Sequence, residues 1–286
     1  METLFYTHSA EHIARKMVMR KGLFTLAKFS DGEIYCRVDE DVRGKTVWVL
    51  ASTQAPGDNV LELALLLDSL SRAGARVKLM ISYFAYARQD RIVKRGEALS
   101  SEVICNLLKT FKLNRTFVMH IHSPRIKKFL DFEDLRPIDL FSTILTKMEV
   151  AVAPDRGALD LAKKVSREYG LPFAYMEKFR PETEKVEITR LVGDVTGKRV
   201  VIVDDMISTG GTVIKASQRL VESGAREVNV IATHGIFSAD AVKNLEVSRI
   251  KSVYVTNSIK PTFKSKVIKT VDISKFVEGV MRRGTC

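Results

Sequence analysis

Cysteine is scarce in this 286-residue chain: Cys36, Cys105 and Cys286 are far apart and odd in number. No C-x-x-C pair or other metal-ligand spacing occurs, so a disulfide framework is not expected. That usage suits a reducing, cytoplasmic location. Long apolar runs are missing too. None reaches the roughly 18 residues that a membrane-spanning helix needs. Residues 1–16 break any apolar stretch with Glu2, His8, Glu11 and His12, which argues against a signal peptide. Acidic residues are the other shortfall: 34 Asp or Glu stand against 46 Lys or Arg, a formal net charge of +12. Residues 243–286 alone hold ten Lys or Arg against three Asp or Glu. Such an excess speaks of partners rather than fold. It fits a plain basic surface, or a protein that handles nucleotides, sugar phosphates or nucleic acid. Evenly spread lysines without interleaved aromatics are poor support for nucleic acid. Neither nucleic acid nor membrane is therefore expected as a partner.

What is present reads as an α/β protein. Hydrophobic residues make up 45% and charged residues 28%, enough for each half to bury a core. The length fits two domains at roughly 100–200 residues each. Short β-branched runs at 47–50, 77–83, 116–121, 150–153, 200–203, 228–232 and 253–255 read as strands. Stretches 58–73, 99–111, 157–169 and 211–223 read as helices, the first capped by Asp58 or Asn59. The alternation implies mostly parallel sheets flanked by helices. The halves look like copies: LSRAGAR at 70–76 and LVESGAR at 220–226 each precede a strand. Two similar domains are expected, 1–141 and 142–286, joined near the acidic stretch 131–142 with Pro137. A C-terminal helix near 274–286 is expected to pack on the first. Ligands of such sheets bind beyond the carboxyl ends of the strands, at a switch in strand order.

The most specific segment runs Val200-Val201-Ile202-Val203-Asp204-Asp205-Met206-Ile207-Ser208-Thr209-Gly210-Gly211-Thr212. An apolar strand ends in two carboxylates, a loop of small residues follows, and a helix starts. Gly210 and Gly211 let backbone N–H groups come close to an anion. Ser208, Thr209 and Thr212 add hydroxyl donors, and the helix start adds free N–H groups with positive dipole character. Together they make a phosphate cradle. Asp204 and Asp205 cannot bind phosphate; they suit the vicinal hydroxyls of a ribose, or a metal bridging to it. The arrangement resembles the phosphoribosyl pyrophosphate loop of type I phosphoribosyltransferases. It leaves open a transferase that consumes that compound and a synthetase that makes it.

The rest of the chain resembles the ribose-phosphate pyrophosphokinase (phosphoribosyl pyrophosphate synthetase) family. Phe29-Ser30-Asp31-Gly32-Glu33 is similar to that family's purine-binding segment. An aromatic ring can stack on adenine and a carboxylate can accept from its amino group, although Asp-Gly alone is an ordinary hairpin turn. Tyr86-Ala87-Arg88-Gln89-Asp90-Arg91 resembles the ATP-contacting stretch. Arg88 and Arg91 offer guanidinium forks for phosphate, and residues 92–100 read as a mobile lid. In Met119-His120-Ile121-His122-Ser123 the histidines alternate and so point to opposite faces; the resemblance makes His122 the one that meets magnesium triphosphate. His120 stands where the family usually has Asp, and Ser208 where many members have Asp. Asp155, in Pro154-Asp155-Arg156-Gly157, matches the family's magnesium-associated Asp, in a setting that also suits a helix cap. Met176-Glu177-Lys178-Phe179-Arg180 resembles its catalytic Lys-x-Arg. In a strand, Lys178 and Arg180 project to one side.

The resemblance implies two phosphoribosyltransferase-like domains and an enzyme that moves the diphosphate of ATP onto ribose 5-phosphate, with magnesium as cofactor. It implies ATP contacts at Phe29, Asp31, Gly32, Glu33, Arg88, Gln89 and Arg91. Ribose 5-phosphate falls to Arg180, Asp204, Asp205, Ser208, Thr209, Gly210, Gly211 and Thr212. Magnesium falls to His122 and Asp155, and catalysis to Lys178 and Arg180. It also implies a homo-oligomer, a dimer or multiple of dimers, in which residues 29–33 serve a neighbour's site. A phosphoribosyltransferase would use the 204–212 loop without needing Arg88, Gln89 or Lys178. A non-catalytic regulatory relative is opposed by the intact Lys178 and Arg180. Net charge alone speaks for a nucleic-acid-binding protein.

Overall fold

The computed structural model describes residues 2–179 and 188–283, apart from the side chains of 178, 179, 188 and 189. The chain divides into two units: residues up to 136 with 258–260 and 272 onward, and residues 137–257 with 261–271.

The first unit holds strands β1 (Thr3–Tyr6), β2 (Phe24–Lys28), β3 (Ile34–Val38), β4 (Thr46–Ser52), β5 (Arg76–Tyr83), β6 (Leu113–Met119) and β7 (Glu133–Leu135). Its helices are α1 (Glu11–Ala14), α2 (Asp58–Arg72) and α3 (Ser100–Lys109). One parallel sheet runs β1-β4-β5-β6-β7, and β2 and β3 form a separate antiparallel hairpin. Alternation along β4 sends its side chains to two faces. Val47, Val49 and Ala51 pack with Leu63, Leu66, Leu67 and Leu70 of α2 in one core. The leucine spacing i, i+3, i+4, i+7 is what turns one face of α2 to the sheet. Trp48, between those valines, is buried with its ring 5.3 Å from that of Phe117. Two local expectations fail. Gly57, not Asp58 or Asn59, occupies the cap position of α2; Asn59 donates instead from Nδ2 to the Gln54 carbonyl, at 2.8 Å. The strand expected at 116–121 begins earlier and stops at Met119, because His120 turns the backbone to φ +41°.

The second unit holds β8 (Val150–Ala153), β9 (Phe173–Phe179), β10 (Ile188–Val192), β11 (Arg199–Ile207), β12 (Glu227–Gly235), β13 (Ser252–Thr256) and β14 (Ile268–Val271). Its helices are α4 (Ser142–Leu145), α5 (Leu159–Tyr169), α6 (Gly211–Glu222) and α7 (Ala241–Glu246). The sheet order is β10-β9-β8-β11-β12-β13-β14, parallel except for the β9–β10 pair. The apolar stretch Val200–Val203 of β11 is buried on both faces, as an apolar run in a parallel sheet should be. Val200 and Ile202 pack with Val213, Ala216 and Leu220 of α6. Val201 and Val203 pack with Leu161, Ala162 and Val165 of α5. The strand order switches direction at β8: its successor β9 lies on one side and β11 on the other. The last helix, α8 (Ser274–Arg283), belongs to the first unit, where Glu278 accepts from Val18 N at 2.9 Å.

The sequence repeat is a repeat of hydrogen bonds. In the first unit Gly44 N donates to Gly74 O at 2.9 Å, Ala75 N to Leu70 O at 3.0 Å and Arg76 N to Lys45 O at 2.8 Å. In the second, Gly197 N donates to Gly224 O at 2.8 Å, Ala225 N to Leu220 O at 3.0 Å and Arg226 N to Lys198 O at 2.9 Å. β4–α2–β5 and β11–α6–β12 are thus matching parallel units with the same helix-to-strand turn. The likeness stops at strand order: the first sheet runs one way through its strands, while the second contains a switch point.

Candidate functional site

β11 runs past its last residue paired with β8, Ile202, and carries Asp204 and Asp205 beyond it. Asp204 is half-buried. Burial, then the charge and hydrogen bond of Asp205, then the charge of Asp155 hold its carboxyl well above the usual carboxylate range. Asp205 N donates to Asp204 Oδ1 at 2.9 Å. The loop that follows is shaped by Gly210, whose φ of +78° is strained for any residue with a side chain. Gly210 takes the cap position of α6 and no side chain caps that helix. Its first-turn N–H groups have no intrahelical acceptor. A Cβ on Gly211 would approach only Thr209 Oγ1, at 3.7 Å, and Thr209 and Thr212 are exposed. Open backbone donors, a helix start and free-standing hydroxyls make the loop a fit for a phosphate group. Ser208 Oγ lies 3.0 Å from Ser238 Oγ, a neighbour that no motif in the sequence marks.

Asp155 follows β8 at the same end of the sheet. Its Oδ1 accepts from Gly157 N at 2.9 Å and Ala158 N at 3.3 Å, so it also shapes the turn into α5. Asp204 sits close enough to Asp205 and Asp155 to feel the charge of each. They do not close a cage: among the described residues no three acidic, His or Cys side chains would hold a metal alone. Oxygen donors so arranged fit magnesium, which takes one or two carboxylates and completes its shell with substrate phosphates and water. Lys178 lies on β9 opposite Thr189 of β10, on backbone that continues beyond the residues paired with β8. Its side chain, and the whole of Arg180, lie outside the described residues.

In the first unit the loops after β5 and β6 meet. Arg88, Gln89 and Arg91 are exposed. Gln89 is pinned to the start of α3: its Oε1 accepts from Ser100 Oγ, and its carbonyl accepts from Ser101 Oγ at 2.9 Å. Asp90, between Gln89 and Arg91, ties this loop to the next. Its Oδ2 accepts from Ser123 Oγ at 2.6 Å and lies 3.8 Å from Arg125 Nη1. His120 is buried and His122 exposed. The left-handed turn at His120 separates them, not the strand alternation expected from sequence. Phe29 to Glu33 form the tip of the β2–β3 hairpin. Phe29 N donates to Glu33 O at 2.8 Å and Glu33 N to Asp31 Oδ1 at 3.0 Å. Phe29 is 55% exposed and Asp31, Gly32 and Glu33 are exposed.

A family model for the N-terminal domain of ribose phosphate pyrophosphokinase matches residues 6–111, and one for the phosphoribosyl synthetase-associated domain matches residues 160–285. The ribose-phosphate pyrophosphokinase of Bacillus caldolyticus is 35% identical over 273 residues, covering 93% of this chain and 87% of that protein. That of Vibrio cholerae is 38% identical over 264 residues, covering 87% and 83%. A crystal structure of phosphoribosylpyrophosphate synthetase from Mycobacterium smegmatis aligns over 100% of this chain and 99% of that one, at 30% identity and a TM-score of 0.88. No helix among the described residues is long and apolar enough to cross a membrane.

Proposed function

The chain belongs to the ribose-phosphate pyrophosphokinase family, and on that premise we propose how its residues divide the reaction. It transfers the diphosphate of ATP to the C1 hydroxyl of ribose 5-phosphate, giving 5-phosphoribosyl 1-pyrophosphate and AMP for nucleotide biosynthesis. One observation carries the assignment of residues. At the strand-order switch of the second unit, a glycine-shaped loop with open N–H donors follows two carboxylates on β11. The loop Ser208-Thr209-Gly210-Gly211-Thr212 holds the 5-phosphate. Asp204 and Asp205 take the 2- and 3-hydroxyls, which donate to carboxylates.

ATP is held by Phe29, Asp31, Gly32 and Glu33 at its purine and by Arg88, Gln89 and Arg91 at its phosphates. His122 and Asp155 would hold magnesium, which when bound neutralises phosphate charge. The C1 oxygen attacks the β-phosphorus in line; its bond to phosphorus forms as the bond between the β-phosphorus and the AMP oxygen breaks. Transfers of this kind need positioning and charge stabilisation more than covalent chemistry. Lys178 and Arg180 supply positive charge where it accumulates. The exposed Phe29, at a hairpin tip with two exposed carboxylates, supports a homo-oligomer in which this tip completes a neighbour's purine site. Three separated cysteines suit the cytoplasm.

The test is release of AMP in the presence of magnesium. AMP should appear with ATP and ribose 5-phosphate together and not with ATP alone. Release that is indifferent to the sugar would overturn the assignment of the 208–212 loop.

A further inference from the structure

We propose that Ser238 is a positioning residue for the sugar-phosphate loop: its hydroxyl donates to Ser208 Oγ and leaves the Ser208 proton free for a phosphate oxygen. The proposal rests on the reading that residues 208–212 hold the 5-phosphate. The segment after β12 is clamped along the segment after β11. Ile236 N and Phe237 N donate to the Ile207 carbonyl at 2.9 and 3.2 Å, and Ser238 N to the Ser208 carbonyl at 3.0 Å. The two hydroxyl oxygens then lie 3.0 Å apart. The backbone on either side of Ser238 is unusual. Phe237 has φ +48° and Ala239 φ +53°, left-handed values that residues with a Cβ seldom adopt. Such residues persist where the surroundings over-determine them, often beside a functional group.

The surroundings here are specific. The Phe237 ring meets Phe263 edge-on, with centroids 4.8 Å apart. It also fills the space above Gly235, where a Cβ would lie 2.4 Å from Phe237 Cε2 and 2.9 Å from Val255 Cγ2. An absent side chain at 235 thus seats the Phe237 ring, the ring fixes the backbone, and the backbone aims Ser238 at Ser208.

The chemistry gives the pair its direction. A phosphate monoester dianion only accepts hydrogen bonds, so Ser208 must donate to it. A hydroxyl has one proton and can accept while it donates. Its donation strengthens when its own oxygen is engaged. An ionised carboxylate in place of Ser208 would have no proton to give. Both hydroxyls are open to water in the free protein, so the pair adds little to stability. A bound phosphate excludes that water, and the same pair then acts in a lower dielectric.

Steady-state AMP release and thermal unfolding, compared for wild type, Ser238→Ala and Ser238→Thr, test this. Ser238→Ala should raise the KM for ribose 5-phosphate about tenfold, leaving the KM for ATP and the Tm unchanged. Ser238→Thr, which keeps the hydroxyl, should restore it. The double variant Ser208→Ala/Ser238→Ala should be no worse than Ser208→Ala alone, because both remove one interaction. A wild-type KM in Ser238→Ala, a joint change in both KM values and Tm, or additive losses in the double variant would each overturn the proposal. A wild type that binds ribose 5-phosphate outside the 208–212 loop would sink the site reading first and this proposal with it.

Discussion

Asp204 resists ionisation because burial removes water from its carboxyl and because Asp205 and Asp155 add negative charge beside it. Its folded-state pKa lies above the unfolded value of about 3.9. The stability it contributes is therefore complete below that unfolded value and is lost as pH rises through the folded pKa. Above its folded pKa the ligand-free protein carries this unfavourable charge, and sugar hydroxyls donating to the carboxylates would relieve it. We expect Asp204→Asn to raise the Tm at neutral pH, by about 2–4 °C for each kcal/mol recovered, while turnover of ribose 5-phosphate collapses. A Tm at or below wild type would show that the site stores no such repulsion. The acidic pair itself is legible in the sequence. The raised pKa of Asp204 is not, because part of it comes from the charge of Asp155, which arrives from the end of another strand. Lys178 is a different case: the spacing Lys-x-Arg makes it visible, and its role is a matter of charge. Lys178→Ala should cut turnover by on the order of 100-fold or more while ATP binding, measured by titration calorimetry, persists. Unchanged turnover would remove Lys178 from the reaction.

At the scale of elements, Asp155 shows how one residue serves a turn and a site together. Its Oδ1 accepts two backbone N–H groups at the entrance to α5, work that an Asn oxygen also does. Asp155→Ala should cost about 1 kcal/mol of stability, read from denaturant unfolding. Asp155→Asn should keep that stability and still lose activity, with a raised magnesium requirement. Full activity in Asp155→Asn would reduce the residue to a turn former. The same logic explains which elements sequence reading reaches. β4, β11 and α2 are plain because their apolar residues recur with periods set by burial. β1, β7, β10 and β14 are short and β2 and β3 are largely half-buried or exposed, so their side chains carry little of that pattern. Residues 236–239 are illegible for another reason. Their conformation is set by a phenylalanine ring resting over Gly235 and against Phe263, a contact no local window contains.

For the whole molecule, net charge and partnership meet at the same question, how an anion-handling enzyme completes its site. The charge of +12 favours encounter with two anionic substrates but places neither of them. The family was legible because several modest motifs occur in order along the chain. Assembly was not, because an interface is a property of two surfaces and only one is written in each chain. If the hairpin tip at Phe29 serves a neighbour, each site draws Lys178 from one chain and Phe29 from another. Two crippled variants should then rescue each other. Phe29→Ala and Lys178→Ala, each poorly active alone, are mixed in equal amounts and allowed to exchange subunits. Random pairing in a symmetric dimer leaves about one site in four with both residues intact, so activity should climb to about a quarter of wild type. If every chain uses its own Phe29, no pairing restores a site, and the mixture shows only the average of its two components.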